Sequence, residues 1–235
     1  MNTSESDTAT PRLDKQNTEG KIFKILTRSV PILMGIFIFF NPFSHTTAIK
    51  EICFYGSVII VLLLICFKKI DFSFKSPLTL PFVLFVIWVF IGLFFALYKE
   101  NSIHDFYAHL LKYLAIYYIL INFFNSRKRL IVLSWIVITS AIIFAIGGMI
   151  YFYVILGNTM QSTRITFQET SINIIGFITV FAIILALHNL KRDNMLYRKL
   201  ILLTSLLVTI TVTILTQSWG TYIGLISGLG ALFPK

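Results

Sequence analysis

The chain has 235 residues, of which 57% are hydrophobic and 13% charged, with a net charge of +10 and a mean hydropathy of +0.83. A soluble domain carries about 25% charged residues, so a water-facing globule of this length is excluded: too few charges remain to clothe it. Nucleic-acid binding is excluded as well, because the cations fall in short clusters between apolar runs and form no groove-sized patch.

Residues 1–24 open the chain as a polar segment without an apolar run. They read as a disordered cytoplasmic tail. No cleavable signal peptide is expected, and the first membrane helix serves as an uncleaved anchor. From residue 25 to residue 235 the chain reads as one transmembrane helical domain. A spanning helix needs about 20 mainly apolar residues, and eight candidates follow in order: 29–44, 52–67, 78–98, 106–124, 130–156, 172–190, 200–215 and 221–233. Asn41-Pro42 is expected to end or kink the first. The fifth is long enough to tilt. The expected fold is therefore all-α, a polytopic bundle of about eight transmembrane helices.

Charge sets the expected orientation. Arg12, Lys15, Lys21, Lys24 and Arg28 precede the first span. Lys68, Lys69 and Lys75 follow the second; Arg127, Lys128 and Arg129 follow the fourth; Lys191, Arg192, Arg198 and Lys199 follow the sixth; Lys235 ends the chain. Only Lys50, Lys99 and Arg164 fall on the other side. The positive-inside rule makes the cation-rich side cytoplasmic, with the N-terminus in the cytoplasm. The unbroken alternation also supports the count of eight.

Smaller features add detail. Cys53 and Cys66 stand ~20 Å apart along a helix, too far for a disulfide. Gly224 and Gly228 form a GxxxG spacing, which permits close helix packing within the chain or between copies. Thr204, Thr209, Thr211 and Thr213 on the seventh span can bond their own backbone carbonyls. The chain contains no Walker A, HExxH, CxxC or GxSxG motif. Its four histidines, His45, His104, His109 and His188, include no i, i+4 pair, so no metal and no cofactor is expected.

Three features face the outer side. The loop 157–171 carries Arg164, the only Arg there, with Glu169. An Arg at a membrane surface can hold phosphate in a bidentate fork; pairing with Glu169 as an anchor is the alternative. Lys112 lies inside the fourth span, where a charge is costly unless it snorkels or meets an anionic head group. The turn Thr216-Gln217-Ser218-Trp219-Gly220 joins the last two spans. Gly220 suits a tight turn, and Trp219 suits the interfacial aromatic belt.

Together these features resemble the O-antigen ligase family, which includes O-antigen polymerases. Many members carry a Thr-Gln-Ser-Arg-Gly-like motif opening a helix at the periplasmic face, and here it stands as Thr216-Gln217-Ser218-Trp219-Gly220 followed by Thr221-Tyr222-Ile223-Gly224-Leu225. Arg164-Ile165-Thr166-Phe167 fits the place of a periplasmic-loop Arg, and Lys112-Tyr113-Leu114 with Tyr117 and Tyr118 also looks familial. The resemblance covers residues 29 to 235 as a hydropathy pattern plus one motif.

The resemblance implies a glycosyltransferase of the bacterial inner membrane, without nucleotide or metal. Its ligases move polysaccharide from undecaprenyl pyrophosphate to lipid A–core in lipopolysaccharide biosynthesis. It points to Arg164, Lys112, Gln217 and Trp219 as residues near the pyrophosphate or the lipid-linked sugar. Two departures stand out. Trp219 occupies the place of the motif Arg, and a large periplasmic loop bearing a catalytic His does not occur. The chain is accordingly expected to be the N-terminal part of such a protein and inactive alone, with its catalytic residue unassigned and its oligomeric state open. The readings kept beside it are a polymerase of the same family and a non-enzymatic, transporter-like membrane protein.

Overall fold

The computed structural model describes residues 10–159, 165, 167 and 170–232, with side chains described from residue 21 onward. Among the described residues there are eight helices and no strand. They are α1 (Thr10–Phe40), α2 (Thr47–Cys66), α3 (Thr79–Phe94), α4 (Lys99–Phe123), α5 (Arg127–Ile155), α6 (Ile172–Arg192), α7 (Leu196–Leu215) and α8 (Trp219–Leu232).

Six of these are long and apolar enough to cross a membrane; α3 and α8 are shorter apolar helices. The chain is a multi-pass, all-α membrane protein. Each helix forms because its apolar residues extend around the whole circumference, and lipid leaves the backbone no alternative to internal hydrogen bonds. Apolar side chains cover much of the surface, among them Trp88 on α3 at 74% exposure, as lipid contact requires.

Several helices start earlier than the sequence expectation. α1 starts at Thr10, so polar residues assigned to the tail extend it. α2 starts at Thr47, and α4 at Lys99, seven residues ahead of the expected start. Polar turns at a helix end carry no hydropathy signal, yet their backbone continues the helix. The break at Asn41-Pro42 falls as expected, with α1 ending at Phe40. α4 and α5 each contain a π stretch, Phe106–Leu111 and Ile150–Ile155.

Two compact units divide the chain. Unit 1 comprises residues 1–34 and 52–127, and unit 2 comprises residues 35–51 and 128–235. In unit 1, α3 has no buried residue and meets α4 through rings: Phe82 with Tyr117 at 4.8 Å and Phe90 with Phe106 at 6.2 Å. Cys53 is buried and Cys66 exposed, both as free thiols.

The segment between α2 and α3 is held by α4. Asn122 uses both ends of its amide: Oδ1 accepts from Ser73 N at 2.8 Å, and Nδ2 donates to Ser73 O at 2.9 Å. The Ser76 and Tyr117 hydroxyls bond each other, and Tyr118 donates to Thr79 Oγ1 at 3.3 Å. Tyr117 and Tyr118, which look familial beside Lys112, therefore serve here to fasten this basic segment. Asn122→Ala is expected to loosen it by about 1–2 kcal/mol, the worth of one or two partly exposed hydrogen bonds. Amide exchange over residues 70–76 should rise accordingly, and unchanged protection would assign the fastening to the tyrosines alone.

In unit 2, α5, α6 and α7 share a core of Ile138, Ile183, Ala186, Leu202 and Leu206. A second cluster gathers Phe144, Ala145, Phe152, Ile165, Phe167, Ile175 and Val212. Buried hydrogen bonds tie these helices: Asn189 Nδ2 donates to Ser134 Oγ at 2.8 Å, and Thr213 Oγ1 donates to Thr179 Oγ1 at 2.9 Å. Such bonds between membrane helices contribute about 0.6–2 kcal/mol each. Thr204, Thr209 and Thr211 bond the carbonyls four residues back, as expected, whereas Thr213 bonds across to α6.

Between α6 and α8, close approach is carried by only one glycine of the expected pair and by one outside it. A methyl added at Gly228 would overlap Ile184 of α6, while Gly224 faces open space. A second close approach is at Gly176 on α6, whose added methyl would overlap Thr221 of α8. GxxxG spacing thus describes one contact residue and one free one.

Candidate functional site

The turn between α7 and α8 is built from its own hydroxyls. Thr216 is fully buried, and its Oγ1 donates to Thr213 O at 2.7 Å. Gln217 takes the left-handed conformation, φ +49°, which ends α7. Its N–H reaches Ile214 O at 3.1 Å, and the Tyr222 hydroxyl donates to the same carbonyl at 3.0 Å. The expected place of Gly220 in the turn is corrected: Gly220 sits inside the first turn of α8, and Gln217 makes the reversal instead. A left-handed residue closes a helix whatever its identity, so a nearby glycine misdirects the eye.

Ser218 is buried; its carbonyl accepts from Tyr222 N at 3.2 Å. Its Oγ donates to Asn173 Oδ1 of α6 at 3.1 Å. Gln217 is exposed, and Trp219 is 79% exposed, its ring edge-on to Tyr222 at 6.3 Å. The motif therefore divides its labour. Thr216 and Ser218 point inward and fix the turn, while Gln217 and Trp219 face out, available to a ligand or to lipid head groups.

Arg164 lies outside the described residues, as does Glu169. Its neighbour Ile165 is described: it is buried, and its N–H donates to Leu215 O at 3.2 Å. Phe167 is buried against Phe144, edge to face at 5.2 Å, and its ring occupies the space that a methyl on Gly148 would fill. Glycine is required at that close approach. Ser171 then caps α6, accepting from Ile174 N at 3.4 Å.

Lys112 belongs to unit 1. It starts the α-helical part of α4 directly after the π stretch, and its ammonium lies over the Phe54 ring at 5.1 Å. A cation–π contact of this kind offsets part of the cost of a cation in an apolar span. Lys112 is thus described within unit 1, while Gln217, Trp219 and the neighbour of Arg164 come together in unit 2.

Sequence reasoning passed over Asn173, Thr179 and Thr221, the residues that set the turn against α6. It also passed over Ile165 and Phe167 as anchors. Their signal was present: two apolar residues alternating inside a polar stretch mark a segment with one buried face. Among the described residues, no group of three or more His, Cys, Asp or Glu side chains is arranged to hold a metal ion. No family model, curated protein or solved structure matches the chain.

Proposed function

We propose that this chain is the donor-binding part of an O-antigen ligase-type glycosyltransferase in a bacterial inner membrane. In this reading it holds a glycan linked to undecaprenyl pyrophosphate at the outer face, for transfer to lipid A–core. The cation distribution supports that orientation, with the N-terminus inside. Polymerases of the same family use the same donor chemistry, and the reading covers them equally.

One observation carries it. The Ile165 N–H bond to Leu215 O brings the residue after Arg164 next to the residue before Thr216. Two features that resemble the family, from separate parts of the chain, thereby meet in one unit. Gln217 and Trp219 are exposed at that point. Arg164 supplies the fork that neutralises pyrophosphate charge, and Gln217 supplies an uncharged donor. The base that activates the acceptor hydroxyl is assigned to none of the four histidines.

Binding by the purified chain tests the proposal. A short prenyl-pyrophosphate-linked glycan should be retained and the matching neutral prenol should not. Arg164→Ala should weaken retention about ten-fold or more, the loss of one charge-assisted hydrogen bond. Equal retention of the neutral prenol would sink the reading.

A further inference from the structure

Within unit 1, α3 and α4 enclose a groove of about 570 Å³. That volume falls in the range of small-molecule sites, ~300–1,000 Å³. Its lining residues recur three and four apart, from Phe85 to Leu93 on α3 and from Ser102 to Tyr113 on α4, so each helix turns one face to it. Trp88 and Gly92 mark the α3 wall, and a methyl added at Gly92 would meet nothing within 4 Å. Phe106 and His109, from the π stretch of α4, make the other wall with Tyr113. A π stretch is common where a helix re-aims side chains toward a ligand.

Asp105 gives the groove its charge. Lys99, Glu100 and Asn101 form the polar start of α4, and Asp105 follows ~9 Å further along the axis, at the level where head groups meet hydrocarbon. His104 Nδ1 and His109 Nε2 stand 3.6 and 3.7 Å from the same Asp105 oxygen, Oδ1. Both distances are too long for a hydrogen bond, so the exposed carboxylate keeps its capacity to accept one. Among the described residues it is the one carboxylate that lines the groove, and no Lys or Arg lines it. Lys112 turns its ammonium to the Phe54 ring of α2 instead. Trp88, Phe106 and Tyr113 add ring faces that attract a cation. A carboxylate beside aromatic rings, in a slot otherwise apolar, fits an amphiphile with an ammonium head.

We propose that this groove seats a phosphatidylethanolamine, its ammonium on the Asp105 carboxylate and one chain along Phe85, Val89 and Leu93. The occupant comes from the bilayer, because α4 is long and apolar enough to cross it and α3 is an apolar helix beside it. Charge decides against an anionic phospholipid: Asp105 repels its head, and no lining Lys or Arg offsets the repulsion. Hydrogen bonding decides against a choline head, whose trimethylammonium has no N–H to give the carboxylate. The site lies in unit 1 and uses none of Arg164, Gln217 and Trp219, so it stands apart from donor binding.

Quenching by brominated lipids tests it. In the full chain carrying Trp135→Phe and Trp219→Phe, Trp88 is the one indole left, and it lines the groove. The purified protein is reconstituted in mixed bilayers in which phosphatidylethanolamine, phosphatidylglycerol or phosphatidylcholine is in turn the brominated species. Quenching of Trp88 then gives the relative occupancy of each lipid beside it. Phosphatidylethanolamine is expected to exceed each of the others by about three-fold or more, less than a fully buried charge-assisted bond would give because the carboxylate is exposed. Asp105→Asn keeps the size and removes the charge, and should bring the three lipids to parity. Gly92→Leu fills the groove with Asp105 intact and should do the same. The proposal is overturned if phosphatidylglycerol or phosphatidylcholine quenches as well as phosphatidylethanolamine in the parent. It is overturned equally if the preference survives Asp105→Asn, or survives in a Gly92→Leu protein that elutes as the parent does. No glycan enters the assay, so either outcome leaves the donor-binding reading untouched.

Discussion

Under the proposed function, Arg164→Ala is expected to cut transfer of glycan from its lipid pyrophosphate by about 10²-fold or more, with membrane insertion unchanged. The reasoning lies in where charge develops. As the bond from the sugar to the pyrophosphate oxygen breaks, the leaving group gains negative charge. A guanidinium fork already in place stabilises that charge more than it stabilises the bound donor, and removing one such contact costs ~10²–10³ in rate. Lys at the same position keeps the charge and loses the planar fork, so Arg164→Lys should fall between parent and alanine. The measurement is transfer of labelled glycan in membranes from cells that make the protein, alongside the fraction of the variant that resists alkaline extraction. Parent-level transfer by the alanine variant would return Arg164 to its other reading, an anchor paired with Glu169.

Gly176→Ala is expected to produce the largest loss of stability from a single methyl. The added carbon would overlap the Thr221 side chain, and Thr221 is itself buried. Overpacking of this kind typically costs about 1–3 kcal/mol, and a valine should cost more. Thermal unfolding of the detergent-purified protein reads it. Gly230→Ala is the control, because a methyl there meets nothing within 4 Å. The double variant Gly176→Ala/Thr221→Ala should recover much of the loss, since the two residues share one contact. No recovery would show that the strain lies in the α6 backbone and not against Thr221. This variant also bears on the site, because α6 holds the turn through Asn173 and Ser218.

The helical architecture was legible in the sequence because lipid imposes one requirement on every span, about 20 residues without exposed charge. That requirement speaks only of the apolar part. It passed over Lys99–Asp105, about two polar turns that α4 takes up, and the early start of α1. It also overran α3, which ends at Phe94 although apolar residues continue to Tyr98.

In the candidate turn, the exposure of Gln217 and Trp219 agrees with their place at the end of a span. The buried support of that turn was not legible, because Asn173, Thr179 and Thr221 are ordinary polar residues of apolar helices until the packing pairs them. Ile165 and Phe167 are an intermediate case. Their alternation is visible in the sequence beside the charge of Arg164.

The manner in which Asn122 grips Ser73 has a consequence for how this protein can change. The amide meets the main chain of Ser73 through both its donor and its acceptor. It therefore reads no side chain in the segment it holds. The lysines of that segment, Lys68, Lys69 and Lys75, help to set the membrane orientation, whereas the tether runs through other atoms. Orientation and anchorage are thus two separate instructions written over one stretch of a dozen residues. Substitution can rewrite the first, adding or losing cations as a membrane's charge demands, while the second stays legible to the fold.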